Sequence, residues 1–316
     1  MRAFIFPGQG SQKVGMGADL AAASPHAREL FEEVDDALGQ KLFALMKDGP
    51  ADELMLTENA QPAIMALSMA VLRVLEKEGG VKLSDVAGCV AGHSLGEYSA
   101  LCAAGAIPLG ETARLLKLRG QAMQRAVPVG EGAMAALLGA DVAKAEDLAE
   151  AAEAEGEICT VANDNDPTQV VISGHEGAIE RAVAMVKDDK ERWGIKRGVL
   201  LPVSAPFHCP LMQPAAEAME KALADTAITA PAVPLFANVT AEATSNPDVI
   251  RTLLVDQVTG RVRWRESVAA MHEAGAEHFV EIGGKVVGPM VGRIAPDAQV
   301  LSVQGMDDIE ALIKGL

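Results

Sequence analysis

The sequence predicts an α/β protein, and three observations carry the prediction. Short apolar runs ending in glycine alternate with longer stretches of helical periodicity, the rhythm of strand–helix units around a parallel sheet. A compact βαββαβ pattern interrupts that rhythm between about residues 128 and 200. The composition is that of a folded chain, with 49% of 316 residues hydrophobic and 22% charged, far from the disordered class. At ~150 residues per domain, the length fits one large domain, 1–127 and 201–316, carrying an insertion at 128–200.

Arg2–Phe6 reads as a buried first strand running into Pro7-Gly8. Gln61–Glu78 reads as a long helix entered at Pro62 and stopped by Gly79-Gly80. Val86–Ala91 is a short apolar strand, Gly92-His93-Ser94-Leu95-Gly96 a tight turn, and Glu97–Ala104 an Ala-rich helix. Within the insertion, strands are expected at Ala133–Leu138, Cys159–Ala162, Gln169–Ser173 and Gly198–Leu201, with helices at Ala143–Glu155 and Gly177–Asp188. That order suggests a ferredoxin-like unit, with Pro128 and Pro202 near its crossings. After it come a helix, Leu211–Ala224, and strands at Leu235–Asn238 and His278–Ile282.

Charge excludes several functions. Forty-four acidic residues against 27 basic ones give a net charge of −17, which repels nucleic acid phosphates and anionic lipid. The apolar N-terminal run is too short for a signal-peptide core, and no window approaches the ~18 apolar residues of a membrane span. A cytoplasmic protein with no membrane or nucleic acid partner is expected. Cys89, Cys102, Cys159 and Cys209 show no CxxC spacing and read as reduced structural thiols, so no metal is expected.

Gly92-His93-Ser94-Leu95-Gly96 fits GxSxG with a strand before it and a helix after it, the setting of a nucleophile elbow in an α/β-hydrolase-like core. The sharp turn presents the Ser94 hydroxyl above the sheet, and N–H groups at the helix start can receive an oxyanion. The plainer reading is a Gly/Ser turn capping a helix. A serine hydroxyl needs a base. Among six histidines, His208 stands out because Ser204-Ala205-Pro206-Phe207-His208-Cys209-Pro210 is a Pro-bounded loop suited to fixing a side chain; a loop histidine satisfying a hydrogen bond is the alternative. His93 reads as structural.

On the helix from about Glu111 to Ala126, Leu115, Leu118, Ala122, Met123 and Ala126 make one face, and Arg119 falls in its middle. A buried guanidinium needs a partner, either an internal carboxylate or a ligand's carboxylate. Pro7-Gly8-Gln9-Gly10-Ser11-Gln12 after the first strand is not a nucleotide loop: it lacks Gly-Lys-Ser/Thr, and Lys13 stands where GxGxxG needs its third glycine. It leaves backbone N–H groups at the carboxyl end of a strand, where open sheets place ligands.

Together, Gly8-Gln9-Gly10-Ser11-Gln12, Gly92-His93-Ser94-Leu95-Gly96-Glu97, Leu118-Arg119-Gly120 and Phe207-His208 resemble the malonyl-CoA:acyl carrier protein transacylases over nearly the whole chain. The resemblance implies Ser94 as the acyl-carrying nucleophile and His208, in an SxxxH loop, as its base. It implies the Gln9 and Leu95 amides as the oxyanion hole and Arg119 as the clamp on the malonyl carboxylate. Gln257 is implied as the residue whose backbone carbonyl holds the histidine, with Asn163 a further pocket residue. Phe207 and Leu95 resemble the malonyl-selecting members of the family. The implied substrates are malonyl-CoA and the phosphopantetheine thiol of acyl carrier protein, with no cofactor. The carrier protein of that pathway is acidic, so a local basic patch is expected; Lys187, Lys190, Arg192, Lys196 and Arg197 are candidates, or else an ordinary solvated face. A serine esterase would instead need an acid between serine and histidine in chain order, for which Asp164 and Asp166 are available. A non-catalytic acyl-CoA binder is the remaining alternative.

Overall fold

The computed structural model describes residues 1–203 and 205–316; Ser204 of the expected histidine loop lies outside the described residues. Its strands are β1 (Arg2–Phe6), β2 (Cys89–Gly92), β3 (Gly132–Leu138), β4 (Cys159–Asp166), β5 (Gln169–His175), β6 (Arg197–Leu200), β7 (Leu235–Phe236), β8 (Ala243–Thr244), β9 (His278–Ile282) and β10 (Gln299–Val303). They form two sheets among the described residues. One has the order β10-β9-β1-β2-β7-β8 and is parallel except for the short β7–β8 pair. The other, β4-β5-β3-β6, is antiparallel throughout.

The central strands of the parallel sheet are apolar along their length because both faces are covered. Phe4, Phe6 and Val90 point into the main core, while Ala3, Ile5, Cys89 and Ala91 pack with Trp264, Val268 and Phe279 on the opposite face. The antiparallel sheet alternates in the same way. Ala135 and Leu137 meet the helices Val142–Ala152 and Glu176–Asp188, whereas Met134 and Ala136 turn toward the main core. The face of the antiparallel sheet that lacks helices is therefore covered by the body of the protein.

Several boundaries differ from the sequence expectation. The long helix is Thr57–Lys77, so Pro62 lies inside it, not at its start. The missing N–H leaves the Glu58 carbonyl without its helical donor, and burial of the helix on all sides from Asn59 to Val71 outweighs that loss. A helical turn, Leu83–Val86, precedes β2, which then runs to Gly92. The helix after the histidine loop starts at Gln213, behind a 3-10 turn at Pro210–Met212. β7 stops at Phe236, because the residues beyond it turn into the site. β4 continues to Asp166 through register shifts between Val161 and Asn163 and between Asp164 and Asp166, bulges that a pattern of alternation does not reveal. Lys187, Lys190, Arg192, Lys196 and Arg197 are all exposed. No described helix is long and apolar enough to cross a membrane.

Candidate active site

β1 and β2 are paired in parallel up to Phe6 and Gly92, and the His93 N–H donates to the Phe6 carbonyl at 3.0 Å. The loop after β1 and the turn after β2 therefore leave the sheet side by side at its carboxyl edge, where a doubly wound sheet opens a crevice. Ser94 takes φ 53°, a left-handed conformation rare for a residue with a Cβ. The flanking glycines make the turn possible by their smallness. A Cβ on Gly92 would lie 1.9 Å from the Gly96 backbone, and one on Gly96 would lie 2.4 Å from the Phe6 carbonyl oxygen. Asn238, just past β7, holds the turn: its Oδ1 accepts from Ser94 N at 2.8 Å and its Nδ2 donates to the Gly92 carbonyl at 2.7 Å.

His208 is 4% exposed, and its Nε2 lies 2.8 Å from Ser94 Oγ. Its Nδ1 lies 2.8 Å from the Gln257 carbonyl oxygen, on the helix Pro247–Thr259. A carbonyl only accepts, so Nδ1 carries the proton and Nε2 presents a lone pair to the serine hydroxyl. Burial, then the nearby Arg119 charge, pull the imidazole down to about 3, which keeps it neutral with an unprotonated Nε2 beside the serine hydroxyl. His208 also has a positive φ of 58°.

Arg119, on the helix Leu109–Ala126, is 1% exposed. Its Nη1 donates to Gln61 Oε1 at 2.9 Å, and its Nη2 to Gln257 Oε1 at 2.8 Å and to Ser94 Oγ at 3.2 Å. Its Nε has no partner, and no carboxylate pairs with it directly among the described residues. Of the two partners the sequence leaves open, the internal ion pair is absent among those residues.

A cavity of about 270 Å³ is lined by Gln9, Ser94, Leu95, Arg119, Asn163, Phe207 and His208, with Met123, Met134 and Gln61 among its walls. Gln257 lies behind that wall and is fully buried. Among the described residues, neither the Gln9 nor the Leu95 N–H donates to a backbone carbonyl outside regular elements. Asn163, 6% exposed, reaches the cavity from the bulged part of β4. A larger hollow of about 480 Å³, lined in part by Leu72, Arg73, Cys102 and Ile107, contains none of these groups.

Three residues complete the site that the sequence shows only as parts of a motif or an element. Glu97 is 1% exposed, and its Oε2 accepts from Gln257 Nε2 at 2.8 Å and from Asn238 N at 3.1 Å. Burial raises its carboxyl to about 7. Asn238 and Gln61 are the other two, and the only signal for either is a polar residue where the pattern is otherwise apolar. Asp164 and Asp166 are turned elsewhere, onto Arg265 and Arg293, and the position an esterase acid would take beside His208 Nδ1 holds the Gln257 carbonyl. His93 faces Asn165 Oδ1 at 2.8 Å and stands edge-on to Trp264.

An acyl transferase domain model matches residues 3–286. The malonyl CoA-acyl carrier protein transacylase of Escherichia coli K12 is 45% identical over 315 residues, covering 99% of this chain and 98% of that protein. The crystal structure of acyl-carrier-protein-S-malonyltransferase from Bartonella henselae superposes with a TM-score of 0.95 at 52% identity, covering 99% and 98% of the two chains. A malonyl-transacylase solved in complex with its type II PKS acyl-carrier protein gives a TM-score of 0.94 at 39% identity, covering 100% and 99%. The chain belongs to the malonyl-CoA:acyl carrier protein transacylase family of acyltransferases.

Proposed function

We propose that the protein is a malonyl-CoA:acyl carrier protein S-malonyltransferase that works through a Ser94 ester. The observation that carries the reading is the convergence on one cavity of a serine–imidazole pair and a buried guanidinium that has no carboxylate partner among the described residues. His208 Nε2 takes the hydroxyl proton as Ser94 Oγ attacks the thioester carbonyl. The oxyanion is received by the Gln9 and Leu95 amides, and the protonated imidazole returns its proton to the departing CoA thiolate. The phosphopantetheine thiol of the carrier protein then attacks the malonyl-serine ester by the reverse route, with His208 again as base. Arg119 holds the free carboxylate through both half-reactions and orients the carbonyl toward Ser94. Asn163 and Phe207 border the acyl group. The Gln257 carbonyl fixes the imidazole tautomer, so no acidic third member is used.

The finer architecture belongs to the same reading. The parallel-sheet part, 1–127 and 201–316, is an α/β-hydrolase-like catalytic domain, and 128–200 is a ferredoxin-like insertion, supported by the strand order β4-β5-β3-β6 around two helices on one face. The cytoplasm is the compartment proposed for this activity. The exposed cations on the insertion are proposed to meet the acidic carrier protein. Reversing Lys190 and Arg197 together raises KM for the carrier protein without slowing serine acylation; unchanged kinetics would remove the patch.

The deciding experiment incubates the protein with malonyl-CoA alone. One equivalent of CoA and a malonylated Ser94 are expected, with neither in Ser94→Ala. Continuous hydrolysis at the rate seen with carrier protein points to an esterase, and no adduct at all points to a binding protein.

A further inference from the structure

We propose that Glu97 is a positioning residue for malonyl recognition: acting through the Gln257 side-chain amide, it balances the charge of Arg119 without touching it, which leaves the guanidinium open to the substrate's carboxylate. The inference rests on the reading that Arg119 binds that carboxylate.

The two ends of the Gln257 amide are chemically different, and Glu97 decides which way they point. An ionised carboxylate only accepts, so the NH₂ end must face Glu97 Oε2, at 2.8 Å. The oxygen end is then forced toward Arg119 Nη2, also at 2.8 Å. Turned the other way, the amide would set donors against the guanidinium and a carbonyl against a carboxylate, orphaning buried groups on both sides. The same NH₂ also donates to the Ser94 carbonyl at 3.0 Å, so one amide ties the acid, the cation and the backbone of the nucleophile turn together.

The spacing matters as much as the orientation. A buried carboxylate in direct contact with Arg119 would form a forked pair that malonyl would have to break before it could bind. With one neutral amide between them, the cation has a compensating charge nearby while its Nε stays unpartnered. Gln61 serves the Nη1 end in the same way, supplying a neutral oxygen where an acid would compete. Two glutamine oxygens therefore hold the guanidinium in place without quenching it.

The charged and titratable groups facing Glu97 are Arg119 from the Leu109–Ala126 helix and Tyr98 from its own helix; Asn238 and Gln257 offer neutral partners. His208 bears on Arg119 but is uncharged near neutrality. Because burial brings the Glu97 carboxyl to about 7, the orienting charge is present above that pH and lost below it.

The test compares kcat/KM for CoA release from malonyl-CoA and from acetyl-CoA, with the full chain and with Glu97→Gln and Gln257→Glu. The first variant frees the amide to turn; the second puts a carboxylate onto Arg119. Each is expected to lower the malonyl-to-acetyl ratio about 10- to 100-fold, mostly through KM for malonyl-CoA. In the unsubstituted protein the ratio falls as pH drops through about 7, and in Glu97→Gln it no longer does. A purely structural role would depress both substrates together. If either variant fails to fold, the other and the pH profile of the unsubstituted protein decide, and a ratio that stays flat with pH overturns the inference. So do unchanged ratios in the variants. Failure of the unsubstituted protein to form malonyl-Ser94 would instead overturn the functional reading beneath it.

Discussion

Replacing Arg119 by alanine separates recognition of the acyl group from the chemistry at its carbonyl. The guanidinium is 1% exposed and contacts Ser94 Oγ at 3.2 Å, so a carboxylate bound to it is desolvated and close to the reacting atoms. Removing one partner of a buried, hydrogen-bonded charge pair costs about 3–5 kcal/mol, which corresponds to a fall on the order of 10²–10⁴-fold in kcat/KM for malonyl-CoA. Acetyl-CoA has no carboxylate to lose, and the truncation removes a desolvated cation from beside the imidazole, so acetyl transfer is expected to hold or rise. The assay is CoA release in the first turnover with each thioester, beside a thermal melt to establish folding, since Gln61 and Gln257 both lose a donor. A folded Arg119→Ala protein that loads malonyl at the original rate would refute the clamp.

His208→Ala is expected to slow serine acylation by about 10²–10⁴-fold. Since the imidazole is protonated only below about 3, the acylation rate in Glu97→Gln, where the Glu97 titration is removed, should show no limb at the ordinary histidine value of 6.5; a limb between about 6 and 7 in that variant would contradict this. Asp164→Asn is expected to lower the melting temperature through the weakened Arg265 pairing while leaving transfer unchanged, and a folded variant without activity would revive the esterase triad. Gly120→Ala places a Cβ 2.5 Å from Glu58 Cα and 2.6 Å from the Thr57 carbonyl oxygen. The Thr57–Lys77 and Leu109–Ala126 helices must then part, for a loss of about 1–3 kcal/mol, read as a lower melting temperature; an unchanged melt would mean the contact is not tight.

The Ser94 turn is legible because its requirements are local: an apolar strand, two glycines where a Cβ would strike backbone, and a helix start. Arg119 is legible because a cation in the middle of an apolar helical stripe breaks the expected pattern. The βαββαβ order is legible from alternation and turn residues, although β4 runs four residues past the expected end because bulges keep it paired after its side chains lose strict alternation. What sequence periodicity does not carry is the second layer. Asn238 looks like the last residue of a strand and Glu97 like the polar first turn of a helix, yet both are buried and joined by a hydrogen bond across 141 residues of chain. Their pairing depends on β2 and β7 being neighbours in the sheet, which is a property of topology.

The antiparallel sheet also reaches the cavity, since Met134 from β3 and Asn163 from β4 form part of its wall. On the proposed reading, the groups that break and make bonds hang from one sheet, while part of the wall around the acyl group hangs from another. Reshaping that wall is then expected to change which acyl groups fit while the proton path from serine to imidazole keeps its own supports.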